Sequence, residues 1–179
     1  MQLFNVSFVN KELVFCWQST GLGRLLLAAS PTGLCYAAFD DGLAMDNLFS
    51  RFPGCSLVEQ YNPVLHLALL CFHSKGSLVD LRLEVTATPF QFAVWKALLD
   101  IPSGKVVTYG EIAVRVGHPK AVRAVGTAVG ANPLALFVPC HRVVPQLGGV
   151  GNYRWGQERK KQLLEVEKQN LHPGIWLSL

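Results

Sequence analysis

The feature that most constrains this fold is a change of local pattern near residue 88. Before it, short runs of β-branched and aromatic residues alternate with turn residues, which is typical of strands. At residue 88, Thr88-Pro89-Phe90-Gln91 forms a capping box with a proline at the first helical position. A second capping box follows at residues 108–111. The sequence therefore predicts two domains, residues 1–87 and residues 88–179.

The first domain is predicted to be a small antiparallel sheet with two helices. Four runs predict a meander of strands: residues 4–8, 13–17, 23–29 and 34–39. The remaining elements are predicted as a helix, a second helix begun by Asn62-Pro63, and a strand: residues 43–52, 63–76 and 78–85.

The second domain is predicted to be mainly helical. Helices are expected at residues 89–100, 108–117, 120–130 and 157–169, the last with Arg159, Lys160 and Lys161 outward. The two middle helices are joined by a tight turn with Gly117 and Pro119, which predicts a helix-turn-helix. The fold class is α/β (α+β), with a winged-helix-like second domain.

The second helix of this pair, residues 120–130, carries small side chains and a single arginine, Arg123. Small residues let a helix approach a partner closely, and a lone arginine can reach a phosphate or insert between bases. An alanine- and glycine-rich helix packed on its own core explains most of the pattern equally well. The pattern alone leaves both interpretations open.

Charge is divided unevenly along the chain. The net charge of +4 consists of −2 in residues 1–87, from five basic and seven acidic residues, and +6 in residues 88–179, from eleven and five. A basic half indicates contact with a polyanion, although an ordinary surface fluctuation gives the same sum. The cations of this half that could contact such a polyanion are few: Lys105, Arg115, Lys120, Arg123 and Arg142.

Composition argues against several classes of protein. Half of the residues are hydrophobic and 16% are charged, which argues against disorder. The five cysteines are odd in number and lack a C-x-x-C spacing, so we expect no disulfide framework and no metal site. There is no apolar run of roughly 18 to 20 residues and no signal-peptide pattern at the start. We therefore expect a cytoplasmic protein that does not bind membranes, and we separately expect it to be a monomer.

One segment carries the residues for nucleophilic chemistry. Residues 134–138 read as an apolar strand, and Pro139 is followed by Cys140, His141 and Arg142. A thiolate is the nucleophilic form of cysteine, and nearby cations or an imidazole lower its pKa. A buried structural cysteine is an equal alternative. Neighbouring side chains on an extended chain point in opposite directions, so pairing Cys140 with His141 requires a turn.

The run Pro139-Cys140-His141-Arg142-Val143 resembles the signature of the O-6-alkylguanine-DNA alkyltransferases, also called methylated-DNA–protein-cysteine methyltransferases. The resemblance continues in register from Thr88 to Glu167, about 80 residues, whereas the first half matches only in general layout. Among its parts are residues 101–104, 119–126, 132–133 and 151–153.

The resemblance implies a catalytic role for five residues. Cys140 would accept the alkyl group, and His141 would activate it through a water molecule. Glu167 would orient the imidazole, and Asn132 would brace the turn that bears the cysteine. Tyr109 would press on the adjacent phosphate and donate to the guanine oxygen. The resemblance thus implies irreversible repair of alkylated guanine in double-stranded DNA, once per molecule and without a cofactor.

The resemblance also implies residues for DNA binding and for the base pocket. Arg123 would fill the stack after the damaged nucleotide rotates out. The helix residues expected at the DNA are Ala121, Ala124, Thr127 and Ala128. The carbonyls of Cys140 and Val143 would accept from the guanine amino group, and the other pocket residues would be Pro139, Tyr153 and Arg154.

One stretch departs from the common family pattern. Arg154-Trp155-Gly156 stands where several members have small residues, which predicts a narrower pocket entrance. This stretch is similar to the carboxy-terminal half of two-part adaptive-response regulators. Two other functions stay open: a non-catalytic damage sensor or helix-turn-helix regulator, and a cysteine hydrolase built on Cys140 and His141. Nonreactive relatives of the family have a different residue at the position of Cys140, so the cysteine in this chain favours a chemical role over sensing.

Overall fold

The computed structural model describes residues 1–73 and 80–169, and the chain divides into two compact units. One unit includes Met1–Thr86 and the other begins at Ala87. Within the described residues, no helix is long and apolar enough to cross a membrane. The same residues hold no cluster of three or more His, Cys, Asp or Glu side chains suited to a metal ion.

The first unit is built on one six-stranded sheet with the order β1-β6-β4-β3-β2-β5. Its strands are β1 Gln2–Asn5, β2 Glu12–Thr20, β3 Gly23–Ala29, β4 Leu34–Phe39, β5 Ser56–Glu59 and β6 Arg82–Val85. The antiparallel meander expected for the first four strands holds for β2, β3 and β4. The first strand pairs instead with β6, in parallel, and β5 was not predicted.

Two helices accompany this sheet, α1 Ala44–Arg51 and α2 Pro63–His73. The last five residues of β3 and all of β4 are buried, as expected for the central strands of a covered sheet. Asn62 caps α2, since its Oδ1 accepts from the backbone N–H of Leu65 at 2.8 Å. The predicted end of this helix at residue 76 and start of the next strand at residue 78 lie outside the described residues.

The second unit consists of short helices and one two-stranded pair. Its elements are α3 Pro89–Leu99, β7 Val107–Thr108, α4 Tyr109–Arg115, α5 Val122–Gly130, β8 Val143–Val144 and α6 Gln157–Lys168. Both predicted capping boxes form, at Thr88 with Gln91 and at Thr108 with Glu111. The strands β7 and β8 run parallel. The helix starts were therefore encoded locally, by residues three apart.

Helices α4 and α5 form the predicted helix-turn-helix, with Gly117 at φ +79° in the turn between them. The inner face of α5 buries Val125, Ala128 and Val129. The indole N–H of Trp95, on α3, donates to the carbonyl of Ala128 at 2.8 Å. This buried hydrogen bond joins α3 to α5 and leaves the opposite face of α5 exposed.

Two local expectations are wrong. Residues 135–138 form turns, with Leu136 at φ +71°, rather than a strand. Lys160, expected to point outward from the last helix, is fully buried. It lies three and seven residues before Leu163 and Glu167, which are also buried, so all three share the inner face of α6.

Candidate active site

Cys140 begins a short 3₁₀ turn, Cys140–Arg142, that leads directly into β8. This turn replaces the strand end expected from the sequence and supplies the change of direction that pairing with His141 needs. Cys140 is only 3% exposed, but it opens onto a cavity of about 360 Å³, a size typical of small-ligand pockets. The cavity is lined by Tyr109, Gly126, Val129, Gly130, Cys140, Asn152, Tyr153, Arg154 and Trp155.

Asn132 holds the segment that carries the cysteine. Its buried side-chain amide donates to the carbonyl of Val138 at 2.9 Å and to Cys140 Sγ at 3.1 Å. The same amide reaches the carbonyl of Leu134 at 3.3 Å, and its oxygen accepts from the Leu134 N–H at 3.0 Å. One asparagine thus satisfies several buried groups of an irregular segment that has no regular ladder of its own.

Behind the turn, Glu167 of α6 binds two consecutive residues of the signature. Its Oε1 lies 3.0 Å from Nε2 of His141, and both of its oxygens accept from the guanidinium of Arg142 at 2.7 to 3.2 Å. The backbone N–H of Gly104 donates to Oε2 at 3.3 Å. Within the described part of the chain, Nδ1 of His141 is buried without a hydrogen-bond partner. The carboxylate therefore fixes the ring and leaves Nδ1 for a further partner.

Burial determines the protonation states at this site. It raises the pKa of Cys140, an effect that outweighs the Asn132 hydrogen bond and the charge of Lys160. It also lowers the pKa of His141, although Glu167 opposes this. The resting pair is thus a thiol and a neutral imidazole, rather than the thiolate of lowered pKa expected from the sequence. A neutral imidazole can accept the thiol proton.

Hydrogen bonds keep the carboxylate of Glu167, behind Cys140 and His141, ionised. Burial alone would raise the pKa of Glu167, but the bonds from His141 and Arg142 bring it down to about 2. The carboxylate is therefore negative at neutral pH and can stabilise an imidazolium on His141.

Two tyrosines adjoin the sulfur. Burial, and then the charge that Cys140 can carry, raise the pKa of both Tyr109 and Tyr153. Both hydroxyls are therefore protonated near neutral pH and available as donors. Tyr109 begins α4 and lies against Gly126 of α5, where a Cβ would stand 3.9 Å from its ring. Tyr153 packs edge-on against Trp155, with ring centroids 5.2 Å apart.

Comparisons with known proteins agree with this geometry. Residues 89–169 match the family described as 6-O-methylguanine DNA methyltransferase, DNA binding domain. The inducible methylated-DNA–protein-cysteine methyltransferase of Bacillus subtilis is 43% identical over 122 residues, which cover 66% of this chain and 68% of that protein. The chain belongs to this family.

Two further relatives describe how far the similarity extends. The crystal structure of Mycobacterium tuberculosis OGT in complex with DNA superimposes with a TM-score of 0.73 at 34% identity, over 93% of this chain and 98% of that one. The bifunctional transcriptional activator and DNA repair enzyme Ada of Escherichia coli is 38% identical over 154 residues. The match covers 83% of this chain but only 44% of Ada, so the chain spans less than half of that relative.

The residues expected to contact DNA differ in their exposure. Arg123, Ala124 and Thr127 lie exposed on α5, and Ala121 is partly exposed at its cap. Ala128 is buried at 3% exposure on the side that faces Trp95, which argues against the DNA contact predicted there. Helix α5 thus has the expected exposed face, but Ala128 is not part of it.

Arg142 also differs from the expectation that it faces DNA. Its guanidinium is held by Glu167 and by the carbonyl of Ile101, and its side chain is 15% exposed. These bonds occupy Nε, Nη1 and Nη2, so Arg142 orients the active-site carboxylate instead of meeting a phosphate.

The expected pocket residues divide in the same way. Tyr153 and Arg154 line the cavity, as predicted. Pro139 and Val143 are buried and are not among the lining residues. The carbonyl of Val143, expected to accept from guanine, already accepts from Nζ of Lys160 at 2.6 Å. A base could use this carbonyl only through its second lone pair.

Sequence reasoning connected Trp155 with the pocket only as part of the stretch that departs from the family pattern, and it did not expect Lys160 or several lining residues, namely Gly126, Val129, Gly130 and Asn152. Gly126 and Trp155 line the cavity, and Lys160 lies behind it. The sequence did contain a signal for the inward position of Lys160, because it lies three and seven residues before Leu163 and Glu167, on the same face of the helix. The departure from the family pattern at residues 154–156 was the signal for Trp155, which packs on Tyr153 two residues before it.

Proposed function

We propose that this protein repairs DNA by transferring an alkyl group from the exocyclic oxygen of guanine to Cys140, irreversibly and once per molecule. The observation that carries the proposal is Cys140 on the wall of a 360 Å³ cavity, with a buried His141–Glu167 pair behind it. We assign this chemistry and DNA binding to residues 88–179. We also propose that the protein is a monomer and that it acts in the cytoplasm, where the DNA of a cell without a nucleus lies.

The proposed reaction is a displacement at the alkyl carbon. The thiol proton of Cys140 passes to Nδ1 of His141 through a water molecule, as the family resemblance implies. The sulfur forms a bond to the alkyl carbon while the bond from that carbon to the guanine oxygen breaks. Its electron pair goes to guanine, which takes a proton from Tyr109 and leaves as a neutral base. The imidazolium of His141 then returns a proton to the tyrosinate through solvent.

The product explains why turnover would stop. A thioether on Cys140 has no low-energy leaving group, so water does not regenerate the thiol. Since one sulfur is consumed per lesion, the protein acts as a stoichiometric reagent. A cysteine hydrolase built on the same pair would instead release its acyl group and turn over repeatedly.

DNA binding is proposed to expose the lesion by base flipping. The exocyclic oxygen of a stacked guanine lies out of reach of a buried sulfur, and extruding the nucleotide costs a few kcal/mol. The exposed face of α5, with Arg123 among small residues, could approach DNA closely and fill the gap left in the stack. Gly126 belongs to both α5 and the cavity, so this helix leads directly to the site.

Trp155 is proposed to limit the size of the alkyl group. It is buried at one side of the cavity and in edge contact with Tyr153, and the guanidinium of Arg154 lies 5.7 Å from its ring. We expect methyl groups to transfer faster than benzyl groups, because a bulky adduct must displace these packed rings. Equal rates for methyl and benzyl adducts would contradict this.

Peptide mapping by mass spectrometry tests the proposal. The protein is incubated with a duplex that contains one O-6-methylguanine, and every cysteine peptide is weighed. We expect one added methyl group on the Cys140 peptide, none in Cys140→Ala, and normal transfer in the control Cys71→Ala, whose thiol is half-buried in α2. Lesion removal by Cys140→Ala would overturn the proposed chemistry, and stable binding without transfer would indicate a damage sensor.

A further inference from the structure

A turn at residues 101–104, just after α3, binds both partners of the Arg142–Glu167 ion pair. The carbonyl of Ile101 accepts from Nη1 of Arg142 at 2.5 Å, and the backbone N–H of Gly104 donates to Oε2 of Glu167 at 3.3 Å. These four residues are not among those that line the cavity of the reactive cysteine. The turn therefore acts on the ion pair through its backbone alone and from outside the cavity.

The N–H of Gly104 completes the hydrogen bonds of the Glu167 carboxylate. Oε1 lies 3.0 Å from Nε2 of His141 and accepts from Nη2 of Arg142 at 2.7 Å. Oε2 accepts from Nε of Arg142 at 2.9 Å and from the N–H of Gly104. A carboxylate bonded at both oxygens cannot rotate without losing some of these bonds. The orientation of the oxygen that faces His141 thus depends on the donors at the other oxygen.

The close approach of this turn to α6 requires glycine at position 104. Gly104 has φ +74°, in the left-handed region, and a Cβ there would stand 2.9 Å from the carbonyl oxygen of Glu167. That distance is shorter than an ordinary contact between carbon and oxygen, and the opposing atom belongs to a helix backbone, which cannot turn aside as a flexible side chain can. A side chain at position 104 would therefore push the turn away from α6 and lengthen its bonds to the ion pair.

We propose that Gly104 is a positioning residue for the alkyl-transfer reaction. Its turn, residues 101–104, holds the carboxylate of Glu167 in the orientation that binds His141, and the imidazole so oriented can take the thiol proton. The consequence for repair rests on the proposed function. The action of the turn on the carboxylate does not, because it can be measured without DNA.

The charged groups around His141 fix the direction of the expected effect. Burial lowers the pKa of this imidazole, and the positive charges of Arg142 and Lys160 lower it as well, whereas Glu167 raises it. Cys140, just before it in the 3₁₀ turn, is a neutral thiol in the resting site. Because Glu167 alone among these groups raises the pKa of His141, a loosened carboxylate should lower that pKa further.

Gly104→Ala tests the proposal. The pKa of His141 is measured without DNA, from the NMR titration of its ring protons, and single-turnover methyl transfer is measured against pH. We expect Gly104→Ala to lower the pKa of His141 by about one unit and to move the acid limb of transfer to lower pH by the same amount. Transfer at pH 7 should slow about tenfold, because the catalytic imidazole is less well placed.

Gly42→Ala is the matched control for backbone strain. Gly42 is exposed in the first unit and has φ +83°, and a Cβ there would meet no atom of the described residues within 4 Å. Alanine at this position imposes a similar left-handed strain but has no contact with Glu167. Gly42→Ala should therefore keep the wild-type pKa of His141 and the wild-type rate of transfer.

An unchanged pKa of His141 and an unmoved acid limb in a folded Gly104→Ala protein would overturn the proposal, even if that variant is less stable. A second measurement keeps Gly104 in place, in case the variant does not fold. In ¹⁵N-labelled wild type, the amide proton of Gly104 should shift with pH at the midpoint of His141, because both groups contact one carboxylate. The amide of Gly117, which donates to the carbonyl of Val114 at 3.0 Å, should not follow that midpoint. A Gly104 amide that does not respond to the ionisation of His141 would overturn the proposal.

The outcomes for the two proposals are separable. If the pKa of His141 falls in Gly104→Ala but no methyl group moves from DNA to Cys140, the positioning role of Gly104 stands and the proposed function fails. If methyl transfer occurs but Gly104→Ala matches the wild type in the pKa of His141 and in rate, the function stands and the role of Gly104 is refuted.

Discussion

Around Cys140, burial and hydrogen bonding act on the thiol in opposite directions. Burial favours the neutral thiol, while the Asn132 amide and the Lys160 ammonium favour the thiolate. This balance suits a nucleophile that is used once. In the proposed reaction, the thiol stays protonated until a base is bound, and neighbouring donors are already placed to stabilise the charge that then develops.

At the scale of single residues, Asn132 is predicted to stabilise the cysteine segment. Asn132→Ala removes the amide bonds to the carbonyls of Leu134 and Val138, which keep their backbone N–H partners, and it takes away the oxygen that accepts from the buried N–H of Leu134. We expect the free energy of unfolding in urea to fall by about 3 kcal/mol. The control Asn152→Ala, at an exposed side chain bonded weakly to Gln157, should change it by less than about 0.5 kcal/mol. Similar losses in both variants would contradict the bracing role.

Glu167 is predicted to set the acid limb of the alkyl-transfer rate. Transfer requires neutral His141, so the rate falls as the pH drops through the pKa of His141, which burial places below its usual 6.5. Glu167 raises that pKa, so Glu167→Gln should move the acid limb to lower pH. The rate at pH 7 should also fall by on the order of 100-fold, because the ring loses its orienting partner. The measurement is single-turnover transfer against pH.

The control for this prediction is Glu165→Gln, an exposed carboxylate on the same helix that bonds only to Gln169 among the described residues. It should leave both the rate and the limb unchanged. A slower rate in Glu167→Gln with an unmoved acid limb would contradict an effect through His141 and would indicate a purely structural carboxylate.

At the scale of elements, α5 combines a sealed inner face with an open outer face. Val125, Ala128 and Val129 are buried, and the indole of Trp95 satisfies the Ala128 carbonyl. The outer face presents Arg123 among small residues. A helix fixed this firmly can hold one long side chain at a defined position, which is what insertion into a base stack requires.

Arg123 is predicted to act mainly in base flipping. Arg123→Ala should slow methyl transfer from duplex DNA about tenfold or more, because the arginine no longer offsets part of the few kcal/mol that base flipping costs. The affinity for bulk DNA should change much less. On single-stranded substrate, where little flipping is needed, the variant should approach the wild-type rate. Lys120→Ala, an exposed cation just before α5, should instead weaken both substrates alike. Equal losses for Arg123→Ala on the two substrates would contradict the role.

At the scale of the whole molecule, charge is concentrated in one of the two units. Residues 88–179 carry a net charge of +6, but the structure withdraws part of it from the surface. Arg142 is bound to Glu167, and Lys160 is buried between two carbonyls. The surface offered to a polyanion is therefore smaller than the sequence total suggests.

The salt dependence of DNA binding is predicted to be modest. Of the five cations expected at DNA, four are exposed: Lys105, Arg115, Lys120 and Arg123. Four phosphate contacts give a slope of log K against log salt of roughly −4. Fluorescence anisotropy with duplex DNA between low and physiological salt measures it. A slope near roughly −8 would indicate a much wider contact, beyond these four cations.

Local signals in the sequence were sufficient for much of this architecture. Both capping boxes, the strands β3 and β4 and the helix-turn-helix follow from residues only a few positions apart. The parallel pairing of β1 with β6 could not be predicted in this way, because it joins residues about eighty positions apart.

In the active site, too, the features encoded by nearby residues could be predicted and those that depend on the folded structure could not. Cys140, His141 and their neighbours form a compact signature, and the family resemblance supplied Asn132, Tyr109 and Glu167. The protonation state of Cys140 could not be predicted from the sequence, because burial raises the pKa of the thiol, whereas its neighbours in sequence were expected to lower it. The inward position of Lys160 went against the usual exposure of lysine, and only helical periodicity could have indicated it.

The central claim is that one sulfur, Cys140, accepts one alkyl group and is thereby spent. The most direct test is a titration of the protein with excess duplex that contains O-6-methylguanine, with the intact mass and the repaired DNA counted together. We expect one lesion repaired per molecule, a matching gain of one methyl group and no activity on a second addition of substrate. Repair of many lesions per molecule, with the protein mass unchanged, would contradict it.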